Sequence, residues 1–208
     1  MQDSAEFVVS DYFLHRWDLQ FTKVRNVKSP TRGTEKSAGI DFFIPKFDQQ
    51  CVDDLREKNG DIQFEHIGGG GGPAIKLFPQ QRILIPSGIH VNVPADFVLI
   101  AHNKSGVASK KGLDVLACVV DEDYQGEVHI SLVNTSRDII YLSQDDKIIQ
   151  FILIPVLYAK ISEVPTLQEL YPAETERGAG GFGSTDDKGK SGEGLEIKGL
   201  QGQTGDEK

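Results

Sequence analysis

The segments EVHISLVN at residues 127–134 and KIIQFILIPVLYAKI at 147–161 decide the fold class of this chain. Both are rich in Val, Ile and Leu, which are typical of strands. Two earlier segments, RILIPSGIHVNVP at 82–94 and FVLIAH at 97–102, have the same character, and the Pro-Ser-Gly sequence at 86–88 predicts a turn within the first. Many short strands between Gly, Pro and Asp turns predict an all-β sandwich, barrel or jelly roll.

The remaining periodic segments add two strands and one helix to this pattern. LQFTKVR at 19–25 and DIIYL at 138–142 are typical of strands, and VDDLREKNG at 52–60 is the one helix candidate, with Gly60 as its stop. Residues 46–76 are polar, contain a run of five glycines and interrupt the strand pattern. We therefore expect an inserted, flexible surface loop over 46–76.

Composition excludes several classes of protein. The formal net charge of −9 disfavours a general nucleic-acid-binding protein. The two cysteines, Cys51 and Cys118, lie far apart and match no metal-binding spacing, so a disulfide framework is not expected. No apolar run has the length of a membrane span, and the acidic N-terminus lacks the basic region of a secretory signal. These features predict a soluble protein of the cytoplasm, and they leave the nucleus open.

Five short motifs carry the chemistry, in this order: SAGIDFF at 37–43, NKSGVASKKG at 103–112, LDVLACVVDEDYQGEVHISLVN at 113–134, DDKIIQFILIP at 145–155 and ERGAGGFGSTD at 176–186. In the last motif, glycines such as Gly183 allow backbone N–H groups to approach phosphate oxygens, and Ser184 and Thr185 add hydroxyl donors. Arg177 supplies a charged, bidentate donor, and Phe182 is an aromatic ring suited to stacking on a base. A Gly-rich tail without function is the alternative for this segment alone.

Two other motifs offer groups for catalysis and phosphate binding. VVDEDYQGE places Asp121 at the end of an apolar run, where a carboxylate can orient and deprotonate a water molecule, and Tyr124 follows three residues later. In NKSGVASKKG, the side chains of Lys104 and Ser105 and the N–H of Gly106 are candidates for phosphate contact. Taken singly, each of these segments also fits an ordinary polar turn.

In order, spacing and wording, the five motifs resemble those of the trimeric dUTPase family, from about Leu19 to Thr185 apart from the insertion. The resemblance implies a dUTPase-like jelly-roll β-barrel that forms a homotrimer with shared active sites. It implies hydrolysis of dUTP to dUMP and pyrophosphate, which limits uracil in DNA and supplies dUMP, with Mg²⁺ held by substrate phosphates and water. It divides the chain into an N-terminal extension (1–18), a barrel domain (19–175), a closing arm (176–186) and a disordered tail (187–208).

The resemblance also implies roles for individual residues. Asp121 activates the attacking water, and Tyr124 packs under the deoxyribose and leaves no space for a 2′-hydroxyl group. The backbone of a hairpin, here from Val115 to Val120, reads the edge of the uracil. Asp41 supports the catalytic site and, with Gln150, belongs to the outer shell of the metal. In the arm, Phe182 covers the uracil, while the remaining candidates reach the phosphates: Arg177, Ser184 and Thr185.

Departures from the family pattern keep other functions open. Lys104 stands where the family usually has Arg, and Leu116 and Cys118 stand where it usually has glycines. With the insertion at 46–76, these departures would fit a divergent viral or phage member. The alternatives are a same-fold enzyme for dCTP or dTTP, or a regulatory protein that binds a partner through 46–76. Glu127 follows Tyr124 as in ordinary dUTPases, which disfavours deamination of dCTP.

Overall fold

The computed structural model describes residues 18–68 and 72–180. These residues form the strands β1 (Gln20–Lys23), β2 (Thr31–Arg32), β3 (Ile40–Phe43), β4 (Gln63–His66), β5 (Pro73–Leu77), β6 (Arg82–Pro86), β7 (Ile89–Asn92), β8 (Phe97–Asn103), β9 (Leu113–Val115), β10 (Val119–Val120), β11 (His129–Asn134), β12 (Ile140–Ser143) and β13 (Lys147–Pro155). They also form the helices α1 (Gln49–Asn59), α2 (Ser105–Lys111) and α3 (Leu167–Leu170). The all-β prediction is confirmed. The extension up to residue 17, the end of the arm from residue 181 and the predicted tail lie outside the described residues.

The strands form four antiparallel sheets with the orders β10-β8-β13-β3-β2, β6-β11-β9, β12-β5-β4 and β1-β7. β13 is the longest strand and pairs with β8 on one side and β3 on the other. Its Phe151 packs against Phe42 of β3, with ring centroids 4.5 Å apart, at the centre of the buried apolar core. This core explains why the Ile- and Leu-rich segments of the sequence became strands with one buried face.

The described chain divides into two compact units, residues 18–159 and residues 160–180. The first contains all the strands listed above, and the second contains α3. Within residues 18–68 and 72–180, no helix has the length and apolar character needed to cross a bilayer.

The predicted turn at residues 86–88 is confirmed, but the strands on either side of it do not pair with each other. β6 pairs with β11, and β7 pairs with β1. The N–H of Ser87 donates to the carbonyl of Val128 at 3.0 Å, and the N–H of Val128 donates to the carbonyl of Ile89 at 2.9 Å. The end of the segment before β11 therefore separates β6 from β7 and directs them into different sheets.

The prediction of a flexible surface loop over 46–76 was wrong, because most of this segment is ordered and partly buried. α1 begins after Asp48, whose side chain accepts a hydrogen bond from the N–H of Cys51, and it ends at Gly60 as the sequence predicted. Cys51 and Leu55 have no exposed surface and belong to the main core. Burial raises the pKa of the Cys51 thiol to about 11. The helix is therefore docked on the barrel.

Two further contacts hold this inserted segment in place. The carboxamide of Asn59 donates to the carbonyl of Leu84 at 2.8 Å and accepts from its N–H at 2.7 Å, so it acts as a strand partner for β6. After α1, β4 pairs with β5, and β5 pairs with β12. The apolar residues Ile75 and Leu77 of β5 are buried. In β5, the buried Ile75 and Leu77 alternate with Lys76. The polar composition of the surrounding segment made this short strand hard to predict from the sequence.

A network around Arg25 joins three distant parts of the chain. The guanidinium of Arg25 donates to both carboxylate oxygens of Glu127, at 2.8 and 2.9 Å, and to Asp54 of α1 at 2.5 Å. The N–H of Gly88 donates to Glu127 at 2.6 Å. The side chains of Arg25 and Glu127 are each 13% exposed. Burial acts to raise the pKa of Glu127, but the bonds from Arg25 and Gly88 outweigh it, so this pKa lies below its ordinary value.

We predict that Leu55→Ala lowers the free energy of unfolding by about 2–5 kcal/mol, because it removes a fully buried side chain from the core. The matched control is Glu57→Ala on the exposed side of the same helix, for which we expect a change within about 0.5 kcal/mol. Urea denaturation followed by circular dichroism measures both values. Equal unfolding midpoints for the two variants would show that α1 is not docked.

We also predict that Arg25→Gln lowers the free energy of unfolding by about 3 kcal/mol, because it leaves the Glu127 carboxylate buried without its charge partner. Since the folded-state pKa of Glu127 is lowered, its contribution to stability is present above the unfolded pKa and is lost as the pH falls. Unfolding measured between about pH 5 and pH 3 should therefore depend less steeply on pH in the variant than in the wild type.

The control for Arg25→Gln is Lys76→Gln, which breaks an ion pair of 3.1 Å with Glu65, whose side chain is 48% exposed. Such a surface pair should contribute less than about 1 kcal/mol. If both variants lose the same small amount of stability, the Arg25 network does not have the structural importance assigned to it.

Candidate active site

Asp41 is a nearly buried carboxylate in β3, with 3% of the residue exposed. Lys104 donates to its Oδ1, and Lys147 lies 3.3 Å from its Oδ2. A buried carboxylate is costly unless it is paired, so the two ammonium groups explain how the charge is tolerated. The structure thus brings together two predicted site residues, Asp41 from the first motif and Lys104 from the second.

Gln150, the candidate from the fourth motif, is the strand partner of Asp41. Its side-chain Nε2 donates to the carbonyl of Asn103 at 2.8 Å, and its Oε1 faces Gly39. A Cβ on Gly39 would lie 2.1 Å from that oxygen. The glycine of SAGIDFF is therefore required by the close approach of Gln150, which places the first, second and fourth motifs side by side.

Asn103 is a linking residue that the sequence analysis missed. Its side-chain oxygen accepts from the N–H of Val115 at 2.9 Å, and its Nδ2 donates to Asp114 at 2.5 Å. It therefore joins the end of β8 to β9. Two residues further on, α2 begins, and its first residues, Ser105 and Gly106, are exposed. The sequence alone fitted a polar turn here, whereas the structure has a short helix. Only the position of Asn103 at the end of an apolar strand could have indicated its role.

Asp121 and Tyr124 line one pocket of about 250 Å³ in the first unit. Cys118 and His129 also line it, and the apolar residues Leu84, Val128 and Phe151 contribute to its wall. Asp121 is exposed at its edge, directly after β10, and its carbonyl accepts the N–H of Tyr124 at 3.2 Å in a tight turn. An ionisable carboxylate at the edge of a partly apolar pocket can act on a bound water molecule.

The ring of Tyr124 lies over the backbone of Gly126. Its hydroxyl donates to the carbonyl of Glu127 at 3.0 Å. A Cβ on Gly126 would lie 2.4 Å from the hydroxyl oxygen and 2.6 Å from the ring carbon that bears it. The absence of a side chain at Gly126 therefore fixes the position of Tyr124 beside the pocket.

The segment from Val115 to Val120 differs from the predicted hairpin. β9 pairs with β11, whereas β10 pairs with β8, so the two arms have partners in different sheets rather than each other. The N–H of Leu116 bonds the carbonyl of Ser131, and the carbonyl of Cys118 accepts from Ala101. These competing partners hold the arms apart. Cys118 lines the pocket of Asp121, whereas Leu116 lines a separate pocket beside α1.

The last motif is only partly described. Arg177 lies in the second unit, where it is exposed and its Nε donates to the carbonyl of Gly180 at 2.9 Å. The other predicted residues of the arm, Phe182, Gly183, Ser184 and Thr185, lie outside the described residues. Within the described part of the chain, no three His, Cys, Asp or Glu side chains cluster as a metal site.

His129 lines the pocket and Glu127 contacts two of its residues, and the sequence analysis assigned a site role to neither. The carbonyl of Glu127 accepts from Tyr124 and lies 2.8 Å from Nδ1 of His129. The carboxylate of the same residue is held by Arg25. A charged residue and a histidine at the start of an otherwise apolar strand were the only signals for these roles in the sequence.

Comparison with known proteins identifies relatives over most of the chain. The family model described as dUTPase matches residues 73–186. A deoxyuridine 5′-triphosphate nucleotidohydrolase of Desulfotalea psychrophila is 38% identical over 170 residues, which cover 80% of this chain and 93% of that protein. The mouse protein of the same name (Mus musculus) is 30% identical over 168 residues, covering 80% and 84% of the two chains.

Solved structures of phage proteins share the fold. A dUTPase of Staphylococcus bacteriophage 80alpha, bound to dUpNHpp, superposes with a TM-score of 0.58 at 19% identity and covers 80% of this chain and 97% of its own. The dUTPase of phage phi11 of S. aureus gives a TM-score of 0.55 at 18% identity, covering 73% and 98%. The expected dUTPase-like fold is therefore confirmed. With the family match over residues 73–186 and the extended sequence identity, this chain belongs to the dUTPase family.

Proposed function

We propose that this chain hydrolyses dUTP to dUMP and pyrophosphate. The observation that carries the proposal is that Asp121 and Tyr124 of the third motif line one pocket, with the tyrosine fixed over Gly126. The relatives named above, at 30–38% identity, are deoxyuridine 5′-triphosphate nucleotidohydrolases. A pocket of about 250 Å³ is large enough to hold a pyrimidine ring.

In the proposed reaction, the carboxylate of Asp121 accepts a proton from a water molecule. The water oxygen then attacks the α-phosphorus, and the bond between the α-phosphorus and the α–β bridging oxygen breaks. Pyrophosphate leaves with the electron pair of that bond. The position of Asp121 at the exposed edge of the pocket supports this role, because the base must reach a water beside a triphosphate that extends into solvent. Tyr124 packs under the sugar and excludes a ribose 2′-hydroxyl group.

Lys104 stabilises the negative charge that develops on the phosphate oxygens. Its bond to Asp41 places the ammonium group beside the start of α2, and Lys147 can neutralise Asp41 when Lys104 turns toward a phosphate. Ser105 and the N–H of Gly106 add donors next to it. From the arm, Arg177, Ser184 and Thr185 are proposed to reach the phosphates and Phe182 to cover the base.

Mg²⁺ is the proposed metal, and a structural Mg(II) ion is named for the phi11 dUTPase. The proposed cation is held chiefly by substrate phosphates and water, as is usual for Mg²⁺ bound with a triphosphate. When bound, the metal neutralises charge on the triphosphate. Asp41 and Gln150, adjacent in the sheet, are the candidates for hydrogen bonds to its water shell.

A homotrimer with shared sites in the cytoplasm is the proposed working form. Large apolar residues that follow β13 support an assembly, because Leu157 is 96% exposed and Ile161 is 98% exposed in the single chain. We propose that these side chains belong to a contiguous apolar patch, which is typical of surfaces that contact another chain. A protein partner bound through residues 46–76 would be an additional property of the same enzyme.

We predict that the full-length protein releases pyrophosphate from dUTP in the presence of Mg²⁺, and that chelation removes this activity. Turnover of dCTP, dTTP and UTP should be lower. Asp121→Asn should reduce kcat for dUTP by about 10²- to 10⁴-fold, because it removes the proposed base while keeping the size of the side chain. Pyrophosphate release with the four nucleotides measures all of these values.

The control for this substitution is Asp123→Asn, two residues along the same turn and outside the pocket lining. It should leave kcat almost unchanged. A preference for dCTP or dTTP over dUTP would replace the proposed substrate, and normal turnover by the Asp121 variant would exclude Asp121 as the base.

We further predict that Gly126→Ala displaces the ring of Tyr124, because the new Cβ would lie 2.4 Å from its hydroxyl oxygen. The ratio of kcat/KM for UTP to that for dUTP should rise by about tenfold or more as the space for a 2′-hydroxyl opens. Gly33→Ala is the control, since the nearest atom to its new Cβ lies 3.5 Å away. An unchanged ratio in both variants would mean that Tyr124 does not exclude ribonucleotides.

A further inference from the structure

The carboxylate of Asp121 is not held in place by any bond of its own. Among the residues that the structure describes, it has no hydrogen-bond or ion-pair partner, and it is exposed at the edge of the pocket. Its direction is therefore set by the backbone of the turn that carries it. On one side this turn is fixed by Val120, which is 9% exposed and pairs with Leu99 of β8.

Glu122 fixes the other side of the same turn. It follows Asp121 directly and is partly buried, whereas Asp121 and Asp123 are exposed. Its Oε2 accepts a hydrogen bond of 2.6 Å from the backbone N–H of Asp96, which is 26 residues earlier in the chain. Hydrogen bonds from an N–H to a carboxylate are about twice as strong as those between neutral groups. The bond therefore ties the turn of Asp121 to the connection between β7 and β8.

The connection that receives this bond is itself well anchored. Asp96 has a φ of 65°, in the left-handed region that few residues other than glycine adopt without support. Its carbonyl accepts from the N–H of Val156, directly after β13, at 2.8 Å. The N–H of Phe97 donates to the carbonyl of Pro94 at 3.2 Å and closes the turn. Glu122 is thus bonded to a turn that the central strand holds in place.

Tyr124 has a separate support, although it lies in the same motif as Asp121. Its hydroxyl bonds the carbonyl of Glu127, and its ring lies over Gly126. The bond between Glu122 and Asp96 involves neither of these contacts. The position of the proposed base and the position of the residue that excludes the 2′-hydroxyl group are therefore set by different parts of the chain.

We propose that Glu122 is a positioning residue for the reaction: its bond to the N–H of Asp96 directs the carboxylate of Asp121 toward the water that attacks the α-phosphorus. The proposal rests on the proposed function, because it requires Asp121 to act as the base. A reacting group that is displaced by about 1 Å can lose about a hundredfold in rate. An exposed, unbonded carboxylate needs such a constraint on its backbone.

Two substitutions of Glu122 isolate the acceptor oxygen. Glu122→Met keeps the length of the side chain but has no oxygen for the N–H of Asp96. Glu122→Gln has the same loss of charge and keeps an acceptor oxygen at the same distance from the backbone. Asp96→Gly is the control at the other end of the bond, because it retains the N–H and glycine readily adopts a φ of 65°.

The test is pyrophosphate release from dUTP and UTP by the full-length wild type and these variants. We expect Glu122→Met to lower kcat for dUTP by about ten- to a hundredfold. Its KM for dUTP, and the ratio of kcat/KM for UTP to that for dUTP, should stay within about twofold of the wild type, because the pocket and Tyr124 are unaffected. Glu122→Gln and Asp96→Gly should keep most of the wild-type kcat.

Three outcomes would overturn the proposal. They are a wild-type kcat in Glu122→Met, an equal loss of kcat in Glu122→Met and Glu122→Gln, and a change in the UTP ratio of Glu122→Met as large as its change in kcat. The last would mean that the whole motif is disturbed. Normal turnover by Asp121→Asn, or a wild type without activity on dUTP, would instead remove the proposed function.

A measurement on the wild type covers the case in which Glu122→Met does not fold. The N–H of Asp96 should exchange with solvent at least about tenfold more slowly than that of Ala95, after correction for intrinsic rates, because only the first is bonded. Both residues are exposed in the same connection, so burial does not separate them. Equal exchange of the two amides, followed by NMR, would show that Glu122 does not hold the turn and would overturn the proposal.

Discussion

Arg25 and Glu127 are 102 residues apart in the chain, and two hydrogen bonds of 2.8 and 2.9 Å join them in a part-buried setting. The pocket depends on this ion pair because the backbone carbonyl of Glu127 receives the hydroxyl of Tyr124 and Nδ1 of His129. A buried pair of this kind is costly to break, since a single remaining charge has no solvent to stabilise it. The carboxylate therefore anchors the segment, and the carbonyl positions the two side chains that line the pocket.

The same ion pair connects the inserted helix to the site. Asp54 of α1 accepts from Arg25 at 2.5 Å, and Arg25 keeps the pKa of Asp54 below its ordinary value. Cys51 and Leu55 of the same helix are buried in the core. A segment with the composition of a surface loop thus supports the residue that orients Tyr124. Through Arg25, α1 therefore helps to hold the residues that line the pocket.

A second arrangement depends on the central strand β13. Its pairing with β3 and β8 places Gln150 beside Asp41 and next to the end of β8, where Lys104 begins α2. Three motifs that are separated by up to a hundred residues meet because antiparallel pairing brings their strand positions into register. The close approach of Gln150 to Gly39 and the pairing of Asp41 with two lysines then follow from that register. Asp41 and Gln150 are thus held by a sheet, and Lys104 is held beside that sheet by its bond to Asp41.

The sequence by itself determined the all-β class, the helix ending at Gly60 and the candidates Asp41, Lys104, Asp121, Tyr124 and Gln150, because strand periodicity and short motifs are local properties of the chain. The tertiary structure decided what depends on contacts between distant residues. It docked residues 49–59, separated the arms of Val115–Val120 into two sheets, and left Nε2 of His129 unpaired in the pocket. Burial and pairing of a side chain are set by neighbours far away in sequence, and no local pattern records them.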